Sequence, residues 1–168
     1  MKVSQIVYTG NLYPHKNIGV LISAVERLQI KLKIICARSV FEKRLPKYEY
    51  VEYLGRLSDE EMVKVYKNSQ AFVFPSLIEG FGLPGLEAMA VGLPVIAARA
   101  SCLPEIYGEA ALFFDPHDID DLVDKIKSVI SDSKLCQSLV AKGYLQVKKY
   151  SWAKMAQQTW EIYQNALR

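Results

Sequence analysis

Between residues 75 and 90 the chain reads PSLIEGFGLPGLEAMA, which places two carboxylates, Glu79 and Glu87, eight positions apart around a glycine-containing bend. Gly80 and Gly82 fall in that bend, where a missing Cβ lets backbone N–H groups come close to a ligand. Pro84 suits the first turn of a helix, whose opening amides near Leu83–Gly85 lack intrahelical partners and carry roughly half a positive charge. Such a terminus seats phosphate. A lone phosphate would be repelled by two flanking carboxylates. A diphosphate with a polyol at each end would not be, because each carboxylate can accept two hydrogen bonds from a vicinal diol while the central amides take the phosphates. That layout describes a nucleoside-diphosphate sugar. The loop GNLYPHKN, Gly10–Asn17, offers Lys16 just before a helix, where its ammonium could reach the same diphosphate.

These groups need a scaffold, and the pattern of the chain supplies one. Gln5–Thr9, Lys31–Cys36, Tyr50–Leu54, Ala71–Phe74, Pro94–Ala98 and Ala110–Phe114 read as short β-branched or aromatic strands. Between them lie helical stretches. Ile18, Leu21, Ile22, Val25 and Leu28 recur at helical spacing, and Ser58 with Glu61 forms a capping box for a helix reaching about Ser69. Pro84 opens a helix through Val91 that Gly92 stops; Asp118 caps one to Ser131, Lys134–Tyr150 is helical, and Ser151 caps a last helix. Alternation of this kind predicts an α/β domain with a parallel sheet and helices on both faces. Its ligand belongs beyond the carboxyl ends of the strands, at the switch in strand order. The loops expected there are Gly10–Lys16, Ala37–Phe41, Gly55–Leu57, Pro75–Leu83 and Arg99–Pro104.

The composition narrows the function classes. In 168 residues, 51% apolar and 23% charged, disorder is excluded. The net charge of +3 is scattered along the chain rather than striped, which argues against a nucleic-acid partner. No apolar run approaches the ~20 residues needed to span a bilayer, so the expectation is a cytoplasmic protein with at most peripheral association at the inner membrane face. Cys36, Cys102 and Cys136 form no Cys-x-x-Cys pair and read as free thiols; His15 and His117 lack the spacing of zinc ligands.

The stretch SLIEGFGLPGLEAMAVGLPVIAARASCLPE resembles the signature of family-4 retaining glycosyltransferases, within the nucleotide-sugar-binding C-terminal domain of their two-Rossmann-domain architecture. The opening YTGNLYPHKN, GRLSDEE, LPEIYGEAALFFDPHD and the closing YSW follow in the order of that family. The resemblance implies a Rossmann-like three-layer sandwich over residues 1–168. It implies that Glu79 contacts the transferred sugar, Glu87 the ribose diol and Lys16 the diphosphate, so that Glu79 and Lys16 take the catalytic roles. Gly10, Asn11, Arg56 and Gly80 join the donor-binding set with Phe81, Gly82 and Leu83. The donor would be GDP-mannose or a UDP-hexose and the acceptor a glycan or lipid-linked glycan. No metal or other cofactor is expected.

Two departures qualify that picture. Many relatives carry an arginine in the first loop, where Asn11 and His15 stand here. Family members also have an N-terminal acceptor domain, so the chain reads as an excised donor half, or a stand-alone relic, of a two-domain enzyme, with little or no transfer activity by itself. Blander readings stay open beside these: Glu79 as a solvated loop residue, Glu87 as a dipole-favoured helix residue, Lys16, Arg38 and Arg56 as surface cations, Glu105 as a loop brace. Trp152, Trp160 and Tyr163 read as a docking stripe. Two whole-protein alternatives remain: a glycoside hydrolase or phosphorylase, whose carboxylates flank a bond at about 5–9.5 Å, and a non-catalytic Rossmann interaction module.

Overall fold

Gln5–Thr9 (β1), Lys31–Ile35 (β2), Val51–Gly55 (β3), Ala71–Phe74 (β4), Val95–Ala98 (β5) and Ala111–Phe114 (β6) form one sheet in the computed structural model, which describes residues 5–36 and 47–167. The strand order is β3-β2-β1-β4-β5-β6, and every pairing is parallel. β4 and β5 are buried at every position, as strands covered on both faces must be. Fully buried Ile6, Val7, Phe72, Phe74 and Ile96 make the centre of the core.

The helices are α1 (Ile18–Leu28), α2 (Asp59–Lys67), α3 (Leu83–Ala90), α4 (Leu103–Tyr107), α5 (Ile119–Ser131), α6 (Ser133–Val147) and α7 (Trp152–Ala166). Right-handed crossovers set their sides. The chain steps one way across the sheet from β1 to β2 and the other way from β3 to β4 and β5, so α1 covers one face and α2 and α3 the other. α5 packs against α1, and α6 against α3. The result is the expected three-layer Rossmann-like α/β architecture.

The caps are those the side chains dictate. Ser58 accepts from the Glu61 amide while the Glu61 carboxylate takes the Ser58 N–H, completing the capping box of α2. Asp118 caps α5 and Ser151 caps α7. Several boundaries differ from expectation, those of the strands by a single residue. α2 stops at Lys67, where the Ser69 hydroxyl turns back to the Val65 carbonyl at 2.8 Å. α6 begins at Ser133 because Asp132 caps it, and it ends at Val147. The loop expected over Arg99–Pro104 already contains the start of α4. The loop at 37–41, with Arg38, lies outside the described residues.

Candidate functional site

Strand order reverses direction between β1 and β4, so the loops that follow these two strands lie side by side at the carboxyl edge of the sheet. The first loop contains a 3₁₀ turn, Pro14–Lys16, ended by Asn17 in a left-handed conformation at φ +53°. The second runs from Pro75 to Gly82. The Leu77 amide donates to the His15 carbonyl at 2.8 Å, and the Asn17 side-chain amide donates to the Pro116 carbonyl at 2.9 Å. Three strand-end loops are thereby tied together.

Across that seam the Lys16 ammonium donates to Glu79 Oε1 at 2.6 Å. Both side chains are largely buried, at 13% and 11% exposure. The ammonium also sits 5.9 Å from the centroid of the Phe74 ring. The Glu79 backbone is held from a third direction: the Ser101 hydroxyl accepts from the Glu79 amide at 3.3 Å and donates to its carbonyl at 3.0 Å, and the Cys102 thiol donates to the same carbonyl at 3.3 Å.

The bend after Glu79 depends on close approach. Gly82 lies at φ +90°, and a Cβ there would meet the Tyr107 hydroxyl at 2.6 Å and Leu103 Cδ2 at 2.8 Å. At Gly85, in the first turn of α3, an added Cβ would run into the Tyr107 ring. The Tyr107 hydroxyl donates to the Gly82 carbonyl at 2.6 Å, and the Gly85 amide donates to that carbonyl at 3.1 Å. Among the described residues the amides of Phe81, Gly82 and Leu83 donate to no group, which leaves a row of N–H groups at the start of α3.

Glu87 stands one turn further along α3 and is exposed. Burial of its surroundings, and secondarily the charge of Asp59 at the start of α2, raise its pKa above the ordinary carboxylate range. Tyr66 of α2 lies within the field of Glu87; its hydroxyl donates to Thr9 Oγ1 at 2.9 Å, and burial pushes its pKa up to about 12. Burial first, then the Glu79 charge, raises the Tyr8 and Tyr107 phenols as well.

The remaining expected residues fall into place unevenly. Gly80 and Leu83 are exposed on the bend, and the half-open Phe81 ring meets Tyr150 edge-on at 5.3 Å between centroids. The Gly10 amide is committed across the sheet to the Ile35 carbonyl of β2 at 3.0 Å, and Asn11 Oδ1 accepts from the Tyr13 amide at 3.2 Å within the local turn. Arg56 is exposed after β3, the edge strand, with β2 between it and β1. Glu105 is exposed in the first turn of α4. Sequence reasoning missed Ser101, Cys102 and Tyr107 as supports of the bend; Pro104 followed by Glu105 is a helix-start signal that pointed to α4. It also missed a concavity of about 610 Å³ at the ends of β5 and β6, lined by Arg99, Phe113, Asp115, His117 and Lys125, with Leu77 at its boundary.

Similarity to known proteins agrees with this arrangement. The family model described as Glycosyl transferases group 1 matches residues 1–146. The chain is 33% identical to O-antigen chain mannosyltransferase B of Escherichia coli, over 94% of this chain and 45% of that protein. It is 32% identical to MMP alpha-(1->4)-mannosyltransferase of Mycolicibacterium hassiacum, over 92% of this chain and 41% of the other. The chain thus spans less than half the length of these two relatives. Among solved structures, the C-terminal domain of the glycosyl transferase group 1 family protein LpcC from Francisella tularensis superposes with a TM-score of 0.75 at 27% identity, covering 87% of this chain and 85% of that one. Sucrose-phosphate synthase from Thermosynechococcus elongatus superposes with a TM-score of 0.82 at 26% identity, over 98% of this chain and 45% of that one. With a match that spans the whole sheet and both carboxylates of the bend, the chain belongs to the group 1 glycosyl transferases.

Proposed function

We propose that the chain is the donor-binding half of a retaining hexosyltransferase, taking a nucleoside-diphosphate hexose of the mannosyl type and passing the sugar to a glycan or lipid-linked acceptor. The observation that carries this reading is the Lys16–Glu79 pair beside the unpartnered amides of Phe81, Gly82 and Leu83, with Glu87 beyond them. An ammonium has three donors, and Glu79 uses one. The others are left for the diphosphate, while Glu79 keeps acceptor capacity for sugar hydroxyls. The pair can therefore serve as one unit that bridges phosphate and sugar. Glu87, set further along α3, takes the ribose diol.

In the transfer step the bond from the anomeric carbon to the phosphate oxygen breaks, and both electrons leave with the diphosphate. Lys16 and the positive end of α3 stabilise the charge that develops there. The acceptor oxygen bonds to the anomeric carbon and passes its proton to the departing diphosphate oxygen. Cationic side chains and the helix terminus stand in for a metal ion in this scheme. The mannosyl assignment is supported by the names of the two relatives above. The acceptor-binding half belongs to the rest of a longer protein, and the exposed apolar side of α7 is the surface proposed to meet it.

Transfer assays on the full-length protein test this reading. GDP-mannose and UDP-hexoses are offered to the wild type and to the Lys16→Ala/Glu79→Ala double variant. Loss of transfer by more than about a hundredfold is expected, since two charge-assisted contacts to the reacting groups disappear. Transfer that survives in the double variant would falsify the assignment.

A further inference from the structure

We infer that Ser101 is a positioning residue that fixes the backbone of Glu79 and so sets where its carboxylate meets the sugar; this rests on the donor reading above. The geometry is specific. A single hydroxyl both accepts from the Glu79 amide and donates to the Glu79 carbonyl, at 3.3 and 3.0 Å, and the neighbouring Cys102 thiol adds a second donor to that carbonyl at 3.3 Å. One residue of the β4–α3 loop is thereby held at both its amide and its carbonyl by the β5–α4 loop.

The backbone of Ser101 supports a role beyond loop filling. It lies at φ +53°, a left-handed conformation that residues with a Cβ adopt at a cost. Glycine would occupy it freely, but glycine has no hydroxyl. A strained residue that persists beside a candidate site, and whose side chain makes both bonds to one site residue, points to placement of that residue as the reason. The grip continues along α4, where Tyr107 holds the Gly82 carbonyl at 2.6 Å. Lys16 fixes the Glu79 side chain; Ser101 fixes the main chain from which it springs. Glu79 is thus held at both ends before any ligand arrives, which is how a site avoids ordering costs on binding.

Ser101→Gly removes the hydroxyl and relieves the backbone, so the fold is not put at risk. Wild type and variant are titrated calorimetrically, as the full chain, with GDP-mannose, GDP, UDP-glucose and UDP, and amide exchange is followed at Glu79. The expected result is a loss of about fivefold or more in affinity for the sugar-bearing nucleotide, with the bare nucleotide changed by less than about twofold, and faster exchange of the Glu79 amide. Equal losses for both ligands, no loss for either, or unchanged exchange at Glu79 would overturn the assignment. A wild type silent to all four ligands removes the donor reading itself, and this inference with it, before any variant is compared.

Discussion

An ion pair 2.6 Å long, with each side chain only about one-tenth exposed, lies between the surface pairs that contribute little and the buried pairs that are sensitive to loss of one member. Removing only Glu79 leaves an ammonium beside the Phe74 ring with no counter-charge, and removing only Lys16 leaves a carboxylate without its partner. Either single alanine variant is expected to lose about 3 kcal/mol of stability. The double variant, which buries neither charge, should recover part of that loss while transfer stays abolished. Chemical denaturation of the three variants checks this; a double variant as unstable as the sum of the singles would deny the coupling. Glu87 makes a complementary case. Its carboxylate pKa is raised in the folded chain by partial desolvation of the carboxyl, though the residue as a whole is exposed, and by Asp59. The folded state therefore holds the proton more tightly than the unfolded one, and this contribution is full below the ordinary carboxylate pKa and lost as pH rises through the raised value. Glu87→Gln should consequently melt higher than wild type at pH 7, with the difference vanishing near pH 4. If Glu87 binds the ribose diol, the same variant should lose about tenfold or more in nucleotide affinity, since a charged acceptor is replaced by a neutral one. Thermal melts at the two pH values, paired with calorimetry, read both effects.

Among the elements, α4 is short, and it carries much of the support of the bend. Its residues Leu103 and Tyr107 are fully buried and form the wall that Gly82 and Gly85 approach. Gly82→Ala should destabilise the chain by about 2 kcal/mol or more, because the new methyl group would collide with Tyr107 and Leu103 and the residue would have to keep φ +90°. Gly80→Ala has open space at its Cβ and should stay close to wild type. Denaturant midpoints of the two variants decide whether close approach, rather than glycine flexibility in general, is what the bend requires. Much of this level was legible beforehand. The strands, α1, the capping box of α2 and the caps of α5 and α7 follow from periodicity and side-chain chemistry within a few residues of sequence. α4 was not read, since five residues are too few to show a period and the start signal of Pro104 and Glu105 stands alone without one. The Lys16–Glu79 bond was not legible as a bond either. Its members are 63 residues apart, and only the adjacency of β1 and β4 brings them together. Glycine spacing revealed the bend; the tyrosine it packs against could come only from the fold.

On the scale of the whole molecule, the described chain divides into a closed α/β body and a last helix that lies outside it. Every residue from Ser151 to Leu167 is exposed, and α7 contributes no buried side chain, whereas α5 and α6 each bury several. Trp152, Trp160, Ile162 and Tyr163 are all more than 60% exposed. So large an apolar surface is unusual on a free-standing domain and marks a face made to be covered. The body itself ends one residue earlier. The Tyr150 hydroxyl donates to the Ile106 carbonyl at 3.1 Å, and its ring braces Phe81 on the bend. A chain cut after Tyr150 should therefore unfold within about 2 °C of the intact one, since surface residues removed away from packed features change stability little. It should also self-associate less at equal concentration. A cut before Tyr150 should lower the midpoint further and weaken nucleotide binding, because Phe81 loses its only ring neighbour among the described residues. Scanning calorimetry and light scattering on the two truncations separate these outcomes. A drop of more than about 5 °C on removing α7 alone would mean that the helix packs on the body after all, and that its apolar side is not the surface proposed to meet an acceptor-binding half.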